Sequence, residues 1–221
     1  MKISPALSIL AMLTQRVLGN LDIVTLYAKP GAYIQEASAT LVVGDVPEPI
    51  TGDVALWSAI MMENQASFLQ GVTENAPAGV LHQPWEVMVQ LCLCARSEAK
   101  NGTPVKAAPG SRIRTHYKLN SSTQMWDQNV YINGKLVSSI STSKGQHGEI
   151  FYISTECSAG NCAAAPAHSW EDVSITLSKA DSSFGRTGGG WEHGATDGKM
   201  STSDGGRNWK FTTLKVPSTN P

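Results

Sequence analysis

The chain has 221 residues, 41% of them apolar and 16% charged, and its 17 basic residues against 18 acidic ones leave a net charge of −1. That length supports one domain with a buried core and excludes a mini-protein held together by crosslinks alone. The even charge balance, with no basic run to track phosphates, excludes nucleic acid as an expected partner, and the low charge fraction favours short strands and polar turns over salt-bridged helices.

Residues 1–19 carry Lys2, an apolar run from Ile3 to Leu13, and then Val17, Leu18 and Gly19. They read as a signal peptide cleaved after Gly19, placing the protein in the secretory pathway or outside the cell. The run is too short to span a bilayer, so no stable membrane span is expected. Cleavage removes Lys2 and Arg16 and leaves 15 basic residues against 18 acidic ones, net −3.

Residues 20–221 are expected to form a single domain. Residues 21–26 and 37–43 are strand-like, and Pro47, Pro49 and Gly52 mark a turn. Residues 54–62 are almost continuously apolar, which suits a strand buried on both faces or a short helix, and the flanking turn signals favour the strand. Strands are expected again over 68–72 and 85–94. Cys92 and Cys94 lie two apart on the latter, where a mutual disulfide would be strained; buried free thiols are expected there.

Two glycosylation sequons, at Asn101 and Asn120, fall in turn-like stretches. Residues 112–119 and 125–132 alternate as half-exposed strands, Asn133-Gly134 is a hairpin turn, and 135–141 returns. Strands follow over 149–155 and 173–177. Cys157 and Cys162 can close a small loop through Gly160 and Asn161. Four cysteines nevertheless allow three pairings, and the sequence selects none of them. Residues 182–207, rich in Gly and Ser, predict a mobile surface loop before a last strand over 209–216; Trp191, His193 and Trp209 are its candidate lid residues.

About ten short strands without a helical period predict an all-β fold, an antiparallel two-sheet sandwich. The histidines show no metal-ligand spacing, and no nucleophile elbow, zinc motif, phosphate loop or dinucleotide fingerprint is present. No metal and no cofactor are expected.

Three segments together resemble the glutamic peptidases, or eqolisins, fungal acid proteases built on a concanavalin-like jelly roll. They run from Trp57 to Gln70-Gly71, from Gly110 to Val137, and from Gly148-Glu149 to Cys157 with Cys162 beyond. Carried over by position, the resemblance implies that Gln70 binds the tetrahedral oxyanion and Glu149 activates water, and that Cys157 and Cys162 form the family's small disulfide loop. The chemistry is coherent, because a carboxylate accepts the water's proton while an amide N–H donates to the developing oxyanion.

The departures point elsewhere. Where those peptidases have Trp-x-Gly-x-Asp, this chain has Trp57-Ser-Ala59-Ile-Met61, so a thioether replaces an acidic residue. Met62 and Met88 add apolar surface, and residues 20–53 read as strands rather than a prosegment. The run from Val54 to Pro77 is also similar to fungal secretory proteins of secondary metabolism, among them the hetero-Diels–Alderases of tropolone sesquiterpenoid biosynthesis. That resemblance implies a cofactor-free pericyclase joining a quinone methide to a humulene-type alkene. Holding two reactants in a near-attack pose supplies much of such catalysis.

In that reading Gln70 donates to the quinone-methide oxygen and Glu149 assists loss of water from a precursor. Trp57, Met61, Trp85, Met88 and Trp126 are the expected walls for a small apolar substrate, with Arg114 or His116 a second oxygen contact. A glycan-binding module is a third reading, which lacks the Asp/Asn cluster of a calcium-dependent lectin.

Overall fold

The structure, a computed structural model, describes residues 20–75, 86–92 and 100–221, with backbone alone over 86–92. Trp85 and Cys94 lie outside the described residues, as does the segment read as a signal peptide. In chain order the strands are β1 Asn20–Tyr27, β2 Ile34–Val42, β3 Asp53–Met62, β4 Phe68–Glu74, β5 Glu86–Cys92, β6 Lys100–Asn101 and β7 Val105–Lys106. They continue with β8 Arg112–Leu119, β9 Trp126–Ile132, β10 Lys135–Thr142, β11 Gly148–Ala159, β12 His168–Leu177, β13 Thr196–Asp197, β14 Ser201–Thr202 and β15 Asn208–Val216. The only helical pieces among the described residues are two 3-10 turns, Glu63–Gln65 and Phe184–Arg186.

Among the described residues all the pairings are antiparallel, and hydrogen bonding links their strands into one continuous network. The link between β2 and β11 is one residue pair, Ile34 opposite Gly148. Two sheets therefore emerge. One runs β10-β9-β8-β2-β12-β15, with β13 and β14 on the far edge. The other runs β1-β11-β3-β4-β5, with β6 and β7 at its end. Glycine is required at the junction, because a Cβ on Gly148 would stand 2.9 Å from both Ile34 O and Ile60 Cγ2.

The core lies between the sheets. Strand alternation turns Ala37, Ala39 and Leu41 of β2 and Ile113 and Tyr117 of β8 toward Leu56 and Ile60 of β3 and Phe151 and Ile153 of β11. A polar plug crosses this core. Ser58 Oγ lies 2.6 Å from Thr115 Oγ1, and the Tyr117 hydroxyl donates to Ser58 O at 2.6 Å. Burial pushes the Tyr117 phenol up to about 12, so it remains a donor.

Strand β12 shows why sequence periodicity misjudges bounds. β12 begins five residues before the expected 173–177 because its buried positions change phase. His168 and Trp170 point inward, then Val173, Ile175 and Leu177 do. Between them Asp172 has φ 50° and the register with β2 shifts, a bulge that inserts an extra residue and breaks the alternation.

Segment 182–207, expected as a mobile loop, is fastened to the domain. Phe184 is fully buried against Trp209, with centroids 6.2 Å apart. Thr187 Oγ1 accepts from Tyr27 N at 2.8 Å and Glu192 N donates to Ile23 O at 3.1 Å, which covers the outer edge of β1. Asp204 accepts from the backbone N–H groups of Arg207 and Asn208 and from the Thr202 hydroxyl. Trp191 packs on Phe211 with centroids 5.3 Å apart and donates to Asp197 O. His193 is exposed. The two tryptophans anchor the segment to the first sheet.

Candidate functional site

β3 is buried on both faces, as its apolar run predicts. Val54, Leu56, Ile60 and Met62 enter the main core, while Ala55, Trp57 and Ala59 form a second apolar cluster with Val72, packed by Phe68 and Tyr152. This second cluster sits on the outer face of the second sheet. Directly opposed residues of antiparallel neighbours share a face, so the register of β4, β3 and β11 fixes which side chains meet there.

Four rows cross the three strands. They are Phe68–Met61–Ile150, Gln70–Ala59–Tyr152, Val72–Trp57–Ser154 and Glu74–Ala55–Glu156. Gln70 and Tyr152 thus flank Ala59, with two inter-strand spacings, about 10 Å, between their backbones. Ala59 between them is fully buried.

Phe68, Trp57 and Tyr152 form an aromatic triad beside this row. Centroids lie 5.5 Å apart for Trp57–Phe68, 6.4 Å for Trp57–Tyr152 and 6.0 Å for Phe68–Tyr152, all edge-to-face. Such contacts orient the rings and add about 1 kcal/mol each beyond area burial. Burial is the main cause that pushes the Tyr152 phenol up to about 12, and Tyr27, Asp22 and Glu149 add to it. Tyr152 therefore stays protonated and offers a hydrogen-bond donor.

At one end of the face Trp57 Nε1 donates to Glu156 Oε2 at 2.8 Å. Burial raises the Glu156 carboxyl above its usual range, the Trp57 bond lowers it in part, and Asp53 and Asp22 raise it further. Ser154, one row nearer Tyr152, donates to Leu21 O and bonds Asp22. These contacts tie β1 to the site.

The residues singled out from the sequence separate into groups. Gln70, Trp57 and Met61 share the outer face. Met88 stands opposite Val72 in the register of β5. Glu149 occupies a bulge in β11, outside the Gln70 row. It is exposed and lines a cavity of about 270 Å³ with Lys29, Tyr33, Glu63 and His147. Trp126 is wholly buried in the main core and donates to Gln146 O. Arg114 and His116 lie on the outer face of the other sheet, bonded to Ser38 and Glu36. The structure does not bring these last three to Gln70.

Tyr152, Phe68 and Glu156 were not singled out from the sequence. The alternation of Ile150, Tyr152, Ser154 and Glu156 was visible there, but their pairing with β3 was not. Asn101 is exposed, while Asn120 caps a turn by accepting from Ser122 N and Thr123 N. Cys157 and Cys162 form a disulfide. Among the described residues no group of three His, Cys, Asp or Glu side chains is placed to hold a metal ion. Nor is any helix among them long and apolar enough to cross a membrane.

Chemically, the face carries a neutral amide and a neutral phenol around a packed aromatic cluster, with the carboxylates Glu74 and Glu156 together in one end row.

No protein-family model matches the chain, and no curated protein matches it in sequence. Solved structures do resemble it. Scytalido-glutamic peptidase, solved with a peptide-based transition-state analogue, superposes with a TM-score of 0.57 at 14% identity, covering 91% of this chain and 98% of that one. SCP-B, a member of the eqolisin family of peptidases solved with the tripeptide Ala-Ile-His, gives 0.53 at 14% identity over 91% of this chain and 98% of its own. The chain has an eqolisin-like fold.

Proposed function

We propose that the protein is a secretory-pathway pericyclase that binds an apolar, oxygen-bearing small molecule on the outer face of its second sheet. The reaction is the hetero-Diels–Alder addition of a quinone methide to a humulene-type alkene. The enone carbon and oxygen termini each bond to one alkene carbon, and no atom is lost. Gln70 and Tyr152 donate to the quinone-methide oxygen as charge shifts onto it, and Trp57, Phe68 and Met61 hold the apolar bodies. The observation that carries this reading is the row Gln70–Ala59–Tyr152, two neutral donors flanking a small residue beside an aromatic triad. The disulfide is the covalent feature an oxidising compartment favours.

Incubation of a quinone-methide precursor with the alkene tests it. The protein is expected to raise the rate of adduct formation or fix its stereochemistry. Tyr152→Phe and Gln70→Ala are each expected to lower the rate about a hundredfold, the scale for removing one aligned donor. An adduct rate and product mixture that the protein leaves unchanged overturns the reading for this substrate pair.

A second reading, a glutamic peptidase, is favoured by the fold of the solved relatives. It requires Gln70 and a carboxylate to address the same water, within about 3 Å of it. Release of peptides from denatured protein in acid, abolished by Gln70→Ala, supports it. The absence of cleavage excludes it.

A further inference from the structure

Strand β8 presents Arg112, Arg114, His116 and Lys118 on one face, the outer face of the first sheet, directed away from the proposed reaction site. Three of these side chains are matched by acids. Arg112 reaches Glu171 and Asp172, and Glu36 takes both His116, at 2.7 Å, and Lys118, at 3.2 Å. Arg114 is different. Its row partners are Thr40 on β2 and Tyr131 on β9, both neutral, and among the described residues it makes no ion pair.

The guanidinium is nonetheless oriented. Nε donates to Ser38 Oγ at 2.9 Å, and the carbon at its centre stands 5.2 Å from the Tyr131 ring centroid. That bond uses one edge of the fork and leaves the two terminal nitrogens as donors. Tyr131 stacking restricts the side chain, so less entropy is lost when a ligand engages it. The group lines a cavity of about 260 Å³ with Thr40, Arg112, Tyr131, Gly134 and Asp172. The Asp172 carboxylate in that lining is engaged by Arg112 Nη2 at 3.2 Å, which reduces its repulsion of an incoming anion.

We propose that Arg114 forms the floor of a carboxylate-binding site on the first sheet, independent of the Gln70 face. A planar carboxylate matches the two remaining guanidinium donors in a bidentate pair, which a spherical anion cannot. Its source is either a free organic acid or a uronic acid carried on a glycan; the shared chemistry is the carboxylate.

The test is a titration of the whole protein with acetate, glucuronate and chloride at matched ionic strength, following the backbone amide resonances of Arg114, Tyr131 and Gly134. Acetate and glucuronate are expected to give saturable shifts, and chloride none. Arg114→Lys keeps the charge but removes the fork, and is expected to weaken binding about tenfold. Ser38→Ala, which frees Nε while leaving the charge, is expected to weaken it several-fold. Glucuronate binding tighter than acetate identifies a glycan-borne ligand, and equal affinities a free acid. Shifts as large with chloride, or an Arg114→Lys variant that binds as tightly as the parent, overturn the proposal.

Discussion

Ser58 Oγ and Thr115 Oγ1 lie 2.6 Å apart in the middle of the sandwich, joining β3 of one sheet to β8 of the other. Ser58 precedes Ala59, so this bond holds from behind the strand that carries the centre of the Gln70 row. Gly71 of β4 lies opposite Ser58, and a Cβ added there would be driven into Thr115 Cγ2 and stand 3.1 Å from the Tyr117 hydroxyl.

Gly71→Ala is accordingly expected to destabilise the protein by about 1–3 kcal/mol, the usual cost of overpacking a filled core. Denaturant unfolding measures it. Because Gly71 adjoins Gln70, any activity of the folded variant is expected to fall as well. A variant as stable as the parent would show that the two sheets separate easily at this point.

His168 is buried and neutral. Its Nδ1 donates to Pro166 O at 2.9 Å, and burial lowers its pKa from 6.5 to about 4. The unfolded chain therefore binds a proton more readily than the folded one between those values, so stability falls as pH drops from 6.5 to about 4. A shift of this size corresponds to roughly 3 kcal/mol. Unfolding free energies measured across that window are expected to decline, and His168→Gln is expected to flatten the slope. The same penalty acts against a protein that must work in strong acid.

Glu156 shows the opposite displacement for a carboxyl. Trp57→Phe removes the donor that partly offsets burial, so the Glu156 carboxyl is expected to titrate higher still. Carbon-detected NMR of the side-chain carboxyl reads this directly. A downward shift in the variant would mean that the indole N–H does not stabilise the anion.

Asp204, at the turn into β15, is held down to about 2, first by the Asn208 backbone N–H, with the Asn208 side chain, Thr202 and Arg207 contributing. Its contribution is present above the ordinary value of 3.8 and is lost as pH falls through about 2. Asp204→Ala is expected to speed amide exchange at Asn208 and Arg207 at neutral pH. Unchanged protection there would show that the turn holds without the carboxylate.

Much of the architecture was legible in the residues. The two-faced burial of β3 followed from its nearly continuous apolar run, and the β9–β10 hairpin from Asn133-Gly134, whose φ values of 49° and 82° are those such a turn demands. The early start of β12 was hidden because the bulge at Asp172 breaks the period on which the reading relied. Gln70, Trp57 and Met61 share a face, since they lie on consecutive strands joined by a short turn. Arg114, His116 and Trp126 were grouped with them on residue type alone, and the sandwich places them on another sheet or another face.

By itself the sequence determined the all-β class, most strand positions and the apolar character of the strand at the centre of the site, because these depend on local periodicity and turn chemistry. Only the tertiary structure decided that Tyr152 stands in the row of Gln70, that Glu149 falls on a bulge outside it, and that Cys157 pairs with Cys162. The reason is register. One bulge in β11 changes which residue faces which across the sheet, and that offset is set by packing between strands far apart in the chain rather than by the residues of either strand.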